Sequence, residues 1–212
     1  MKTSLLAGSV LGLALASAAS ADGVNVYAGA TLTSNYVYTG ITQTNDKPTI
    51  QGYIEAEYGG FYLGVWASGV RFAPDKAEID PYLGYRGEVG KLSYDLTYTR
   101  TTYDSTGFWS DAVALKLGVA VSDAVTLSVR DSYDFTNDWN QISLSGDFAL
   151  TDKFSLSLLG GHDDGLGGTW GEVGVSYALN DTVSIGASVQ KNEFASAIFA
   201  ATISFDTQLL GN

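Results

Sequence analysis

The sequence has 212 residues, enough for one domain of ordinary size, and its 23 acidic and 11 basic residues give a formal net charge of −12. So acidic a chain lacks the basic face that nucleic acids bind, and no nucleic-acid partner is expected. Cysteine is absent and there is one histidine, which excludes disulfide staples and an ordinary transition-metal site.

Glycine is frequent, with 25 residues, and proline is scarce, with 3, as expected for long paired strands joined by tight turns. Tyrosine (13) and tryptophan (4) together outnumber phenylalanine (9). That bias is typical of proteins whose aromatic rings sit at a membrane–water boundary.

The N-terminus has the pattern of a secretory signal peptide. Lys2 supplies a positive charge, residues 5–16 form an apolar segment, and Ala19-Ser20-Ala21 fits the small-x-small cleavage rule. The apolar segment is too short to span a bilayer as a helix, and no later stretch is long and apolar enough. We therefore expect residues 1–21 to be removed and residues 22–212 to form one exported domain without a transmembrane helix.

Twelve segments of the remaining chain alternate apolar and polar residues with period two, which is the pattern of strands with one apolar and one polar face. They are residues 24–33, 50–58, 61–70, 77–86, 92–102, 112–121, 125–133, 141–150, 154–161, 170–179, 183–190 and 197–205.

Short and long connections alternate between these segments. Similar short turns recur at equal steps of roughly 30 residues, at Asp123, Asp152 and Asp181. The short turns are residues 59–60, 87–90, 122–123, 151–152 and 180–181, and the looser loops are residues 35–48, 71–76, 103–111, 134–140, 162–169 and 191–196. Five turns and six loops in alternation predict an up-and-down barrel whose two ends of the chain lie on the periplasmic side.

A soluble β-sandwich would have the same period, so periodicity alone leaves both architectures open. The signal peptide, the strand length of about 9–11 residues, the alternating connections and the aromatic strand ends favour the membrane barrel. The fold prediction is an all-β, antiparallel, up-and-down transmembrane barrel of about twelve strands, with no room for a plug or passenger domain.

Several motifs in the first half of the chain resemble the TorF-type porins of proteobacteria. They are residues 34–43 (SNYVYTGITQ), Lys47-Pro48, Gln51-Gly52, residues 60–68 (GFYLGVWAS), residues 77–80 (AEID) and Gly84-Tyr85. The resemblance is specific over about residues 23–105, and it departs from the family pattern at Asn35, at Thr39 and in a tail beyond Phe205. It implies an outer-membrane barrel that acts as a pore, without naming a solute.

The tail is residues 206–212, and it follows a strand that ends on Phe205, the aromatic type of residue on which outer-membrane barrels usually end. We expect a short disordered extension. The alternative is that the tail folds back and pairs, because Leu209 and Leu210 are apolar.

Candidate catalytic and metal sites are weak. His162 lies next to Asp163 and Asp164 in a predicted loop, and no strand presents a serine that spacing can place beside it, as a hydrolase would need. A solvated loop histidine is expected, and a surface lipid hydrolase is kept only as a remote alternative. Loop carboxylates at residues 134–138 and 163–165 do not follow the spacing of a calcium loop. No catalytic site, metal or cofactor is therefore predicted.

The polar faces of the strands predict the lining of the barrel. Ten charged residues should point inward: Glu55, Glu57, Glu78, Asp80, Arg86, Asp95, Lys116, Arg130, Asp147 and Glu172. Seven carboxylates against three cations predict an electronegative lumen that favours cations. The alternative is a water-filled interior whose charges pair across neighbouring strands and have no particular role in conductance. Arg86 is expected to lie too far along its strand to neutralise all four carboxylates of residues 55–80. Inward Tyr27, Tyr53 and Tyr82 should narrow the lumen, because twelve strands lie between the filled eight-stranded barrel and the open porin.

Trp109, Trp139 and Trp170 fall at loop–strand junctions and predict one interfacial girdle, whereas Trp66 should face the lumen. The functional prediction is a narrow, non-enzymatic outer-membrane pore for ions or small solutes, gated by its long first loop. Its partners would be outer-membrane lipid, the barrel-insertion machinery and the solutes themselves. The competing interpretation is a closed structural or adhesion barrel that acts through its external loops.

Overall fold

The computed structural model describes residues 23–165 and 167–211, so the predicted signal peptide lies outside the described residues. The regular secondary structure of this part of the chain consists of strands, and no helix in it is long and apolar enough to cross a membrane. The strands are β1 (Asn25–Thr33), β2 (Val37–Tyr38), β3 (Ile41–Thr42), β4 (Thr49–Tyr58), β5 (Phe61–Phe72), β6 (Asp75–Val89), β7 (Leu92–Tyr103), β8 (Gly107–Ser122), β9 (Val125–Asp134), β10 (Trp139–Ala149), β11 (Phe154–Asp163), β12 (Gly168–Ala178), β13 (Val183–Asn192) and β14 (Ile198–Leu210).

Twelve of these strands close into one antiparallel barrel. Each of β4 to β14 pairs with its neighbours in sequence order, and β1 pairs with both β4 and β14. The remaining two, β2 and β3, form a small hairpin in the connection between β1 and β4. Closure pairs the strand edges of the barrel, which is what a membrane-spanning sheet requires. The predicted twelve-stranded up-and-down barrel is confirmed.

The two ends of the barrel differ in their connections. The loop end carries the first loop (residues 34–48) and the connections that follow β5, β7, β9, β11 and β13. The turn end carries the other five connections and both ends of the barrel chain. The sequence placed the loop end outside the cell.

The outer surface of the barrel is an apolar belt. On β8, Val113, Leu115, Leu117 and Val121 are all exposed and alternate with inward residues. So large an uninterrupted apolar surface is not tolerated on a water-facing protein, and it suits contact with lipid. Aromatic rings border the belt at the turn end, where the Phe61 and Tyr85 ring centroids lie 4.6 Å apart and those of Tyr85 and Tyr94 6.0 Å apart.

Strands at the loop end run further than the sequence predicted. Residues 103–111 were expected to form a loop, but β7 and β8 continue to Tyr103 and from Gly107. Carboxylates tie this turn to its neighbour: Asp104 accepts backbone N–H bonds from residues 76 and 77 (2.9 and 3.1 Å), and Asp75 accepts them from residues 105 and 106 (3.1 and 2.9 Å). Each turn thus satisfies donors of the other, so both stay short.

The tail corrects a second expectation. Residues 206–210 are not a disordered extension but the end of β14, with Asp206 opposite Gly29 and Gln208 opposite Tyr27 in the register with β1. The Tyr53 hydroxyl donates to Asp206 (3.0 Å). The strand therefore continues past Phe205, with an irregularity at Val26–Tyr27, and helps to close the barrel.

Candidate functional site

The first loop folds inward over the mouth of the barrel. Its β2–β3 hairpin turns at Thr39 and Gly40, whose φ angles are 49° and 77°. Tyr36 and Val37 are buried, and Thr44 has no exposed surface. A segment this polar would stay in solvent unless the barrel interior supplied partners for it.

One side of the loop is held by β5 and β6. The Tyr36 ring meets the Trp66 ring edge-on at 5.7 Å between centroids, and its hydroxyl donates a long bond (3.5 Å) to Glu78. Burial first, and then the nearby Glu78 carboxylate, raises the pKa of the Tyr36 phenol well above its ordinary value, so the hydroxyl remains a donor. The backbone N–H of Arg71 also donates to the carbonyl of Gln43 (2.9 Å). Trp66 thus lies inward, as its strand pattern predicted.

The tip of the loop is held by β13. The Asn192 amide, which is 1% exposed, donates to the carbonyls of Thr39 (3.0 Å) and Gly167. The Gln190 side chain accepts the Gly40 N–H (3.3 Å). A Cβ at Gly40 would lie 2.7 Å from the Asn192 backbone nitrogen, so only glycine allows this close approach.

A third contact joins the tip to β10. The Gln141 amide nitrogen donates to the Tyr38 hydroxyl (3.1 Å) and to Asp163 (3.0 Å), which fixes the ring below the mouth. The first loop therefore bridges the lumen from β5–β6 to β10 and β13. It narrows the pathway at the loop end without a separate plug domain.

A buried ionic network fills one sector of the lumen near the turn end. Arg86 forms ion pairs with Glu55 and, at 3.4 Å, with Glu57, and its guanidinium lies 3.9 Å from the centroid of the Tyr62 ring. The Tyr62 hydroxyl in turn donates to Asp95 (2.5 Å). Glu55 is 1% exposed, so its charge is taken up by Arg86 and not by water. Arg86 thus pairs with two of the four carboxylates of residues 55–80, Glu55 and Glu57, in line with the expectation that it would not neutralise all four.

Tyrosine rings fill more of the same sector of the lumen. The Tyr62 and Tyr82 centroids lie 6.0 Å apart, and both rings are buried. Tyr27 and Tyr53 share the inward face of β1 and β4 with Glu55. The inner wall formed by β4 to β6 is therefore packed, and space for a solute must lie elsewhere.

The opposite sector contains a cavity below the first loop, with about 470 Å³ of space including the part open to solvent. Small and polar side chains dominate its wall, with Glu172 as the charged member, because β11 to β14 carry glycine, serine and threonine on their inner faces. The lining residues are Thr33, Asn35, Tyr36, Val37, Gln51, Ser157, Glu172, Gly174, Val175, Gly186, Ala187, Ser188, Gln190, Ala200 and Thr202.

By strand register, the ten charged residues singled out in the sequence share the inward side of the barrel. They differ in how much water reaches them. Glu55, Glu57, Glu78, Asp80, Arg86 and Glu172 are buried, whereas Asp95, Lys116, Arg130 and Asp147 are half-buried. Charge on the inner wall is thus divided between a buried group, of which Glu172 lines the cavity, and a half-buried group.

The predicted tryptophan girdle needs correction. Trp109 faces outward and is 44% exposed, but Trp170 is buried and shares the inward face of β12 with Glu172. Trp139 lies on the inward register of β10 and packs against Gly165. Strand alternation predicts that Trp170 faces inward, because Trp170 and Glu172 are two residues apart and must lie on one face of a strand.

The loop residues considered for catalysis or metal binding make local contacts. His162 is exposed, and its Nδ1 lies 3.2 Å from the Thr169 hydroxyl. Asp134 accepts the backbone N–H groups of residues 136 and 137 (2.9 and 3.0 Å), which closes its own turn. In the described part of the chain, no group of three potential metal ligands comes together.

Comparison with known proteins places this architecture among bacterial barrels. Residues 17–206 match the model of a family described as "Bacterial protein of unknown function (Gcw_chp)". No curated protein matches the sequence.

Solved porin structures share the fold. A KdgM porin superposes with a TM-score of 0.65 at 10% identity, over 86% of this chain and 98% of that one. A KdgM porin in complex with disordered oligogalacturonate gives 0.60 at 10% identity, covering 90% and 100%. A NanC porin gives 0.59 at 8% identity, covering 89% and 100%. At such low identity these similarities establish the porin-type transmembrane barrel.

Proposed function

We propose that this chain, which belongs to the Gcw_chp family of bacterial proteins of unknown function, is a passive outer-membrane pore for ions or small polar solutes. The observation that carries the proposal is the cavity on the β11–β14 side below the first loop, whose wall of small side chains, many of them polar, lies inside a closed barrel with an apolar exterior. Side chains fill the lumen of an eight-stranded barrel, and a twelve-stranded barrel with an unfilled sector of this kind has room for a small solute.

The role needs no chemistry, and we propose that the protein is not an enzyme. The outer membrane is the proposed location, with its lipid and its barrel-insertion machinery as partners, because the apolar belt and the predicted signal peptide fit an exported barrel. Membership of the TorF-type porins remains a prediction from the motifs of the first half of the chain.

The finer proposal is that the lumen is electronegative and prefers cations. Glu55, Glu57 and Arg86 form one compensated cluster, which leaves five carboxylates and two cations among the ten inward charges. A net negative wall in a narrow, low-dielectric passage raises the local concentration of cations.

Planar-bilayer recording of the purified, folded protein tests both levels of the proposal. A pore gives stepwise conductance in KCl, and cation preference gives a reversal potential of the corresponding sign under a salt gradient. Replacing Asp147→Asn and Glu172→Gln should reduce that potential, most clearly at low salt where screening is weak. The matched control removes two carboxylates from exposed turns outside the lumen, Asp123→Asn and Asp152→Asn, and should leave the potential unchanged.

A closed barrel is the second candidate, and the first loop favours it. Bonds from Tyr36, Thr39 and Gly40 to both walls hold the loop across the mouth. A bilayer that stays silent while the protein shows the heat-modifiable migration of a folded barrel would support this candidate and contradict the pore.

A further inference from the structure

Two cations face each other on the inner wall. Lys116 of β8 and Arg130 of β9 are direct partners in the strand register. Both are half-buried and alternate with exposed, outward Leu115 and Leu117 on β8 and with apolar Val129 on β9. They therefore project into the lumen side by side, where water reaches them.

Two carboxylates of the described chain lie near Lys116 without forming an ion pair with it: Asp147 of β10, which interacts with Lys116 through charge at longer range, and Asp95. Asp95 is its register partner on β7, but the Asp95 carboxylate accepts hydrogen bonds from Tyr62 (2.5 Å) and Thr97 (2.8 Å), which draw it toward β5. Within the described residues, ion pairs of 4.0 Å or less are formed by Arg86 and Arg100 and include neither Lys116 nor Arg130.

The Arg130 guanidinium also makes few hydrogen bonds. Its guanidinium donates one long bond, 3.4 Å, to the side-chain oxygen of Gln141, which is a neutral acceptor. The same Gln141 amide is fixed by Tyr38 and Asp163, so it cannot turn to offer Arg130 more. This is the one hydrogen bond of the Arg130 guanidinium within the described residues, so most of its five N–H donors remain available to a ligand.

Like charges opposed across two strands destabilise a sheet, and an anion between them removes that repulsion. Guanidinium and ammonium groups together form short, charge-assisted bonds with the oxygens of a carboxylate or phosphate. We propose that Lys116 and Arg130 form a binding subsite for the carboxylate or phosphate group of a solute, which, if the proposed pore function holds, is a permeating one.

The subsite restricts the class of solute. The surrounding inner wall is acidic, so a polyanion meets repulsion on either side of the cation pair. A small molecule with one anionic group is attracted to the cation pair, and its body is not repelled by the acidic wall if it is neutral and is attracted to it if it is cationic. The inferred solutes are thus small zwitterions or hydroxy acids, recognised at the anionic end by β8 and β9.

Channel block by lactate, a hydroxy acid with one carboxylate, and by inorganic phosphate in its singly charged form tests the subsite. In planar bilayers, either anion should reduce the KCl current of the wild type saturably. The double change Lys116→Gln and Arg130→Gln should raise the half-blocking concentration at least about tenfold, because two charge-assisted contacts are lost. Lys116→Arg should retain block. The control Lys91→Gln and Lys153→Gln removes two exposed cations outside the lumen and should behave as the wild type.

Calorimetric titration of the same anions into the protein in detergent micelles separates the two proposals. Binding that the double variant loses, in a barrel that does not conduct, supports the subsite and contradicts the pore. Conductance with no anion binding, or with block that is equal in wild type and double variant, overturns the subsite alone. Heat-modifiable migration of each variant verifies that it is folded. The double variant is expected to fold because the change removes a repulsion.

Discussion

Removing the charge of Arg86 should destabilise the barrel more than any other single change of a lumen charge. Arg86→Met leaves Glu55 and Glu57, which are 1% and 5% exposed, without a cation in a sector from which packed tyrosine rings exclude water. Breaking a buried ion pair by removing one partner costs about 3–5 kcal/mol. The lost contact between the guanidinium and the Tyr62 ring, at 3.9 Å, adds to it in the same direction.

The free energy of unfolding, measured by urea titration in detergent micelles, is the quantity to compare. The triple variant Arg86→Met, Glu55→Gln, Glu57→Gln should recover most of the loss, because it buries no uncompensated charge. Arg100→Met breaks the Arg100–Asp111 pair on the outer surface, where Arg100 is 49% exposed, and should cost much less.

The result that refutes this reasoning is specific. If Arg86→Met and the triple variant lose the same free energy, the cost comes from packing of the arginine side chain and not from stranded carboxylates. If Arg86→Met loses no more than Arg100→Met, the network is hydrated, and its members belong to the water-filled part of the lumen.

Three further outcomes are expected. Gly40→Ala should raise single-channel conductance by releasing the first loop, because a Cβ there would lie 2.7 Å from a backbone nitrogen of β13. The control for backbone strain alone is Gly59→Ala, since Gly59 also has a positive φ (58°) but has no atom within 4 Å of its Cβ position. The chain has no cysteine, so single cysteines can report the topology. An impermeant maleimide should label Ser105→Cys on intact cells and should label Asp152→Cys only after permeabilisation. The opposite labelling pattern would mean that the topology is inverted. Trp109→Phe should remove more of the fluorescence quenching by brominated lipid than any other single tryptophan replacement, since Trp109 is 44% exposed on the outer surface; equal losses would contradict the face assignment of β8.

Period-two alternation carried the prediction of the barrel because it reflects a local constraint. Each strand must present lipid-compatible and lumen-compatible residues in turn, so the twelve strands and their order follow from the pattern. The predictions that failed were usually those that did not follow this alternation. The alternation continues past Phe205, where Asp206 and Gln208 take the polar positions opposite Gly29 and Tyr27, although Gln208, like Leu209, is exposed at the end of the barrel. The expectation that barrels end on an aromatic residue overrode it.

The first loop could not be placed from sequence, because its anchors are distant in the chain. Thr39 meets Asn192, and Tyr38 meets Gln141, through single hydrogen bonds that leave no periodic trace. Side-chain and backbone polar groups of the loop are satisfied only when the barrel has closed around them. Such contacts depend on the three-dimensional register of β10 and β13 and on no local preference of residues 34–48.

The same limit applies to the charges of the lumen. Parity along a strand tells that Glu55 and Lys116 both point inward, but it does not tell which of them water reaches. Glu55 is enclosed because Tyr62 and Arg86 lie one and two strands away, whereas Lys116 forms no ion pair in the described part of the chain because Tyr62 and Thr97 hold Asp95. One aromatic ring thus both buries a carboxylate pair and diverts the carboxylate that would otherwise neutralise Lys116. What a solute meets in this barrel therefore depends on how the packed sector uses its acids, and a count of inward charges cannot supply that information.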